Sequence, residues 1–192
     1  MSRYRRRTLE VRIAEISVQF PVLLVTGPRQ VGKTTLLRHV AEKDRRYVSL
    51  DDPTLRELAV SDPNLFLERF SPPLLIDEIQ YAPGLLPYLK MRIDERREPG
   101  AFWLTGSQQF QMMKGVSESL AGRVAVINLL GFSQRERFGQ RWNVEPFLPD
   151  AAILARRGTL AVKGEKALYQ EIWTGGFPAL VTGEAADRAV FF

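Results

Sequence analysis

The chain contains no cysteine. Disulfides and thiolate metal sites are therefore excluded, and the composition suits a reducing cytoplasm. No apolar run approaches the length needed to span a bilayer, so no membrane partner is expected. The N-terminal stretch Met1-Ser2-Arg3-Tyr4-Arg5-Arg6-Arg7 is basic but lacks the apolar segment of a secretory signal. Histidine is nearly absent too: His39 stands alone, on an expected helix, and reads as structural. Repeats and low-complexity segments are missing. What is there suits a packed domain: 192 residues, 45% hydrophobic and 26% charged, enough for one α/β domain or one domain and the start of another. The net charge is +5, and Arg3, Arg5, Arg6 and Arg7 place four positive charges at one end. That cluster reads as a solubilising arm rather than a nucleic-acid contact.

Residues 27 to 34 read Gly-Pro-Arg-Gln-Val-Gly-Lys-Thr. The pattern is that of a phosphate-binding loop. An apolar β-type run, Pro21 to Thr26, precedes it, and a helix-type run, Thr34 to Val40, follows. Gly27 and Gly32 permit backbone angles and close approaches that a Cβ would block. The amides of Gly27, Pro28, Arg29, Gln30, Val31, Gly32, Lys33, Thr34 and Thr35, proline apart, would then surround a phosphate chain at the positive end of the helix. Lys33 would reach the β- and γ-phosphates, and Thr34 would offer its hydroxyl to Mg²⁺.

The rest of the chain alternates strands and helices. Leu9, Ile13, Ile16 and Phe20 lie on one face of a helix over 8–20. Strands are expected at Val22–Thr26, Tyr47–Leu50, Leu74–Asp77, Ala101–Thr105 and Val124–Asn128. Helices are expected over 33–43, 54–60, 62–70 and 83–97, with a polar helical stretch after Gln108. Such alternation argues for a parallel sheet covered on both faces. Beyond Gly131 the pattern turns helical: 132–138, 150–157 and 163–173, with a loop over 141–149 and a break at Gly175-Gly176-Phe177-Pro178. The domain reading is a core over 1–132 and a small helical annex over 133–192.

Leu74-Leu75-Ile76-Asp77-Glu78 is an apolar strand ending in two carboxylates. In a parallel sheet, ligands bind beyond the carboxyl ends of the strands. Asp77 can there support Mg²⁺, and Glu78 can orient or deprotonate a water attacking the γ-phosphate. Thr105 and Ser107, at the next strand's end, are candidates to hydrogen-bond the γ-phosphate or that water. Arg123 can fork onto phosphate oxygens, completing the site within the chain or reaching a neighbour's nucleotide; a salt-bridged surface arginine is the alternative.

Taken in order, Gly-Pro-Arg-Gln-Val-Gly-Lys-Thr-Thr-Leu-Leu (27–37), Leu-Asp-Asp-Pro (50–53), Ile-Asp-Glu-Ile-Gln (76–80), Leu-Thr-Gly-Ser-Gln (104–108) and Ser-Leu-Ala-Gly-Arg (119–123) resemble the bacterial and archaeal AAA+-like ATPases that carry a C-terminal DUF4143 domain. Leu-Leu-Gly-Phe-Ser (129–133) and Gly-Gly-Phe-Pro (175–178) are similar to that family as well. The resemblance implies an α/β P-loop NTPase core, a five-stranded parallel sheet in the order 5-1-4-3-2, a helical lid, and ATP with Mg²⁺ as ligands. It also implies a C-terminal domain lying mostly beyond Phe192, through which a nucleic acid or a protein partner would be engaged.

Two activities fit these motifs: a Mg²⁺-dependent ATPase, and a nucleotide-gated switch with little turnover. A two-domain helicase needs more chain than this, and no aromatic-basic stripe is present. A GTPase would need an Asn-Lys-x-Asp motif. An ABC ATPase would carry its signature before the acidic strand, not after it. ATP as the base choice follows from the resemblance, and adenine is expected between the segment around Gln19-Phe20-Pro21 and the annex. If Arg123 acts on a neighbour, the protein self-associates.

Overall fold

Five short apolar runs pair side by side as parallel strands: β1 (Val22–Thr26), β2 (Arg46–Ser49), β3 (Leu74–Asp77), β4 (Phe102–Gly106) and β5 (Val124–Asn128). Their order is β2-β3-β4-β1-β5, which from the opposite edge is the expected 5-1-4-3-2. The computed structural model describes residues 4–107, 110–139, 150–157 and 164–183. Expectations on Gln108, on the 141–149 loop and on residues after 183 lie outside them.

All residues of β1, β3 and β4 are buried, as strands covered on both faces must be. Six helices flank the sheet: α1 (Leu9–Ser17), α2 (Lys33–Val40), α3 (Pro53–Ser61), α4 (Pro63–Arg69), α5 (Leu85–Glu95) and α6 (Phe110–Ser119). On one face Val22, Leu24, Leu74, Ile76, Phe102 and Leu104 form a single core with Ala59, Phe66, Leu89, Ile93 and Val116 from α3 to α6. Successive strand residues point to opposite faces, so Leu23, Leu75 and Trp103 face the other way. There Trp103 Nε1 donates to Ser17 Oγ of α1 at 2.9 Å, and the Arg45 guanidinium lies 3.9 Å from the indole centroid.

Local chemistry sets the helix starts. Asp52 accepts from Thr54 N at 2.8 Å and Asp62 from Leu65 N at 3.0 Å, each followed by a proline that suits a first helical position. Several ends differ from the sequence expectation. Helix α1 stops at Ser17, not residue 20, and α2 stops at Val40 because Ala41 is extended, with ψ 141°. Strand β2 sits one residue earlier than expected. Helix α5 starts at Leu85 after Pro83 and Gly84, and an unanticipated 3-10 turn over Ile79–Tyr81 follows β3.

The register matters most for function. Thr26 pairs with Gly106 and with Asn128, and Ser49 pairs with Asp77. The carboxyl ends of all five strands therefore share one rim of the sheet.

The chain divides into two compact units, Arg7–Leu130 and a second made of Met1–Arg6 with Gly131–Phe192. The second contains α7 (Gln134–Arg137), α8 (Ala151–Arg157), α9 (Glu165–Thr174) and α10 (Pro178–Thr182). Helix α7 is shorter than the expected 132–138 and opens with a reciprocal cap between Ser133 and Glu136. Helix α10 was expected only as a chain break. Arg5 Nη1 donates to the Arg137 carbonyl at 2.8 Å, ending α7 with a cation where the helix dipole favours one. Arg5 is thus part of a packed unit rather than of a solvated arm.

Candidate functional site

Strand β1 delivers the chain to the rim at Thr26, and the next residues turn sharply. Gly27 has φ +146° and Gly32 φ +91°. At Gly27 the requirement is also steric: a Cβ there would stand 2.1 Å from the Leu129 carbonyl oxygen. Gln30, at φ +62°, is a non-glycine residue in the left-handed region at the exposed tip of the loop. Strain of this kind persists where surrounding structure enforces it. Gly32 is the N-cap of α2 and supplies no side-chain cap. The first amides of α2 are therefore left for an anionic partner.

Lys33 is 5% exposed. Its Nζ donates to the carbonyls of Gly27 at 3.1 Å and Pro28 at 2.9 Å, inside its own loop. Burial lowers the Lys33 pKa, Glu78 and Asp77 oppose that shift, and Arg29 adds to it. Thr34 Oγ1 donates to Asp77 Oδ1 at 2.7 Å, joining the loop to the acidic strand. The same Oδ1 accepts from Thr105 Oγ1, while Oδ2 accepts from the Tyr47 hydroxyl at 3.1 Å. Burial, and then the negative charge of Asp77, raise the Tyr47 pKa.

Glu78 follows with φ +59°, ψ +48°, again a left-handed non-glycine residue. Its N–H donates to Thr105 Oγ1 at 3.0 Å, so one threonine hydroxyl serves both acidic residues. Gln80 Nε2 donates to the Glu78 carboxylate, and Gln80 Oε1 accepts from Ser107 N at 3.2 Å. A carboxylate on one side and an N–H on the other fix the orientation of that amide. Ser107 Oγ is buried and has no hydrogen-bond partner among the described residues. An orphan hydroxyl on this rim is a ready donor for a ligand oxygen.

The fold thus brings together the 27–35 loop, Asp77, Glu78, Thr105 and Ser107. It does not bring Arg123 to them. Val22 N donates to the Arg123 carbonyl at 3.1 Å, which puts Arg123 at the start of β5, at the rim opposite the loop. The five residues of β1 separate the two rims by about 16 Å. Completion of the site by Arg123 within its own chain is therefore corrected. Arg123 instead pairs with Asp94, Nε to Oδ1 at 2.6 Å, and that bond lowers the Asp94 pKa. Adenine beside Gln19-Phe20-Pro21 meets the same obstacle. The Phe20 carbonyl accepts from Gly100 N and the Pro21 carbonyl from Phe102 N, at the far end of the sheet.

From the N-terminal segment Arg7, 5% exposed, does reach the loop: it donates to the Val31 and Leu130 carbonyls. The expectation of a solvated arginine arm fails here too. Nothing within the run Arg5-Arg6-Arg7 marks its last member as buried. Tyr47 and Gln80 were likewise not singled out. Gln80 stands inside the Ile-Asp-Glu-Ile-Gln motif, so proximity to Glu78 was its available signal.

Among the described residues no group of three or more His, Cys, Asp or Glu converges as a metal cage. The Thr34 hydroxyl and Asp77 carboxylate are hard oxygen donors. They suit Mg²⁺, which commonly takes one or two protein ligands and completes its shell with phosphates and water. No helix among the described residues is long and apolar enough to cross a membrane.

Comparison with known proteins matches residues 19–138 to the family described as AAA domain. Two uncharacterised proteins, from Mycobacterium bovis and Mycobacterium tuberculosis, are each 36% identical over 131 residues. The match takes in 68% of this chain and 30% of theirs, so the chain spans under a third of the length of these relatives. Among solved structures, the Walker-type ATPase PABY2304 of Pyrococcus abyssi is similar with a TM-score of 0.54 and 20% identity, over 93% of this chain and 66% of that one. DnaA of Aquifex aeolicus, bound to AMPPCP, is similar with a TM-score of 0.53 and 16% identity, over 92% and 57%.

Proposed function

The chain belongs to the AAA-domain family, a class of nucleotide-binding ATPases, and from that premise we propose that it binds Mg²⁺-ATP and hydrolyses it to ADP and phosphate. The observation that carries the reading is the 2.7 Å bond from Thr34 Oγ1 to Asp77 Oδ1. It joins the helix-opening threonine of the loop to the acidic strand end, where a metal-bound phosphate chain needs both. A magnesium ion bound by Thr34 and Asp77 would neutralise phosphate charge. Lys33 leaves the Gly27 and Pro28 carbonyls and bonds the phosphate oxygens. Glu78 orients or deprotonates the attacking water, and Ser107 Oγ donates to that water or to the γ-phosphate. Arg123 belongs to the proposal only as a residue offered to a second copy's nucleotide.

The test is ATP binding and turnover in the wild type, Lys33→Ala and Glu78→Gln. Glu78→Gln is expected to keep ATP affinity and lose turnover by about a hundredfold or more. Lys33→Ala is expected to lose ATP affinity. Absence of nucleotide binding in the wild type would end the reading. Binding without turnover would instead favour the nucleotide-gated switch, a reading helped by the bond that already occupies the Glu78 carboxylate.

The narrower kinship to ATPases with a DUF4143 domain, a protein or nucleic-acid partner engaged through such a domain, and a cytoplasmic location are parts of the same proposal.

A further inference from the structure

A guanidinium is charged at every accessible pH, and burying it is unfavourable unless its N–H groups find acceptors. Arg7 is 5% exposed, yet it lies in a run whose neighbour Arg6 is exposed. Two of its donors have defined backbone partners: Nη1 to the Val31 carbonyl at 3.0 Å, and Nη2 to the Leu130 carbonyl at 2.7 Å. One partner is in the phosphate loop, the other follows β5. Helix α1 fixes where the arginine stands. Arg7 N donates to Glu10 Oε1 at 2.6 Å in its first turn, and Ile13 anchors the helix with no exposed surface.

The loop's first residue already touches the same wall, since Gly27 packs against the Leu129 carbonyl with no room for a Cβ. Arg7 ties the later part of the loop to the next residue along. Both ends of the loop are thereby registered on the exit of β5. The Val31–Gly32 peptide is trans, because the one cis bond among the described residues is Pro72-Pro73. In a planar trans peptide the C=O and the following N–H point in opposite directions. Holding the Val31 oxygen toward Arg7 turns the Gly32 N–H the other way.

We infer that Arg7 is a positioning residue for nucleotide binding: it locks the Val31–Gly32 peptide so that the Gly32 amide, and the start of α2 behind it, face the phosphates. The inference rests on the proposed ATPase reading and adds to it a residue twenty positions before the loop begins. Lysine does not replace it, because a single ammonium is a compact point donor and lacks the planar fork that reaches two separate carbonyls.

The experiment uses the 192-residue chain as wild type, Arg7→Gln and Arg7→Lys, each checked for a cooperative melt. Hydrogen exchange is followed without nucleotide on the peptide covering 27–34 and on those covering β1, β3 and β4. ATP turnover is then measured to separate KM from kcat. Both variants are expected to exchange faster in the loop peptide alone. Both should raise the KM for ATP by about ten- to hundredfold, with kcat at saturation within about twofold of wild type. Unchanged loop exchange would overturn the inference. So would faster exchange spread evenly over the core strands, which marks a merely structural arginine. If the wild type itself binds no ATP, the ATPase reading fails, and the exchange comparison still decides whether Arg7 orders the loop.

Discussion

Lys33 shows how one side chain can be arranged for a ligand that must bring negative charge. In the free protein its ammonium is withdrawn from water and shared between two carbonyls of its own loop. Burial, the largest cause, lowers its pKa. A depressed folded-state value means that the stabilising contribution is present only above the unfolded-state pKa and is lost as pH falls through the folded value. Near neutrality the charged lysine therefore works against folding, and a phosphate chain relieves that. Binding has the opposite sign, because the phosphates need the charged form. As pH rises through the lowered pKa the ammonium is lost, and ATP affinity is expected to fall with it, earlier in the alkaline range than an ordinary lysine would deprotonate. Tyr47 shifts the other way, because burial and then the negative charge of Asp77 raise its pKa. Titration of ATP against wild type and Lys33→Met at a series of pH values checks the point. A weak, flat profile is expected in the variant, and an alkaline loss of the same shape in both would remove Lys33 as its cause.

At the scale of elements, the strand–loop–helix unit depends on a backbone approach that only glycine permits. Gly27→Ala would place a Cβ 2.1 Å from the Leu129 carbonyl oxygen at φ +146°. Gly122, at φ +71°, has nothing within 4 Å of its would-be Cβ. Gly122→Ala is expected to cost about 1 kcal/mol, from backbone conformation alone. Gly27→Ala is expected to cost about 3 kcal/mol or more, because the loop must leave the β5 exit. Urea melts of the two variants measure the difference; similar losses would show that the Gly27 approach is not what holds the loop. The loop, the strand runs and the Asp77-Glu78 pair were legible because each is a local pattern. Parallel strands then carry Asp77, Glu78 and Ser107 to one rim without further information. The sheet order came from the family resemblance, not from periodicity. What local pattern could not reveal is direction in space: α1 leads from Arg7, at the loop's rim, to Phe20, at the opposite one, and this reversed the expected position of Gln19-Phe20-Pro21. Which arginine of three is buried, and that Tyr47 meets Asp77, are likewise decided by packing between elements distant in sequence.

For the whole molecule the open relation is between one copy and another, and Arg123 is where it can be measured. Its place at the start of β5 rules out contact with a nucleotide in its own loop, while its side chain remains 28% exposed beside Asp94, itself 46% exposed. A pair at that exposure contributes little to folding, so Arg123→Ala is expected to leave the melting temperature nearly unchanged. If a second copy uses this arginine, the turnover per chain rises with protein concentration in the wild type. Arg123→Ala abolishes that rise and lowers the plateau by about a thousandfold, the scale of an arginine supplied to a phosphoryl-transfer site. Mixing then separates the two roles. Arg123→Ala keeps an intact loop and Glu78→Gln keeps an intact arginine, so neither is active alone, yet a mixture forms junctions that contain one working site. Recovery of activity on mixing is the expected outcome. A wild-type rate per chain independent of concentration, together with full turnover in Arg123→Ala, would reduce Arg123 to the partner of Asp94.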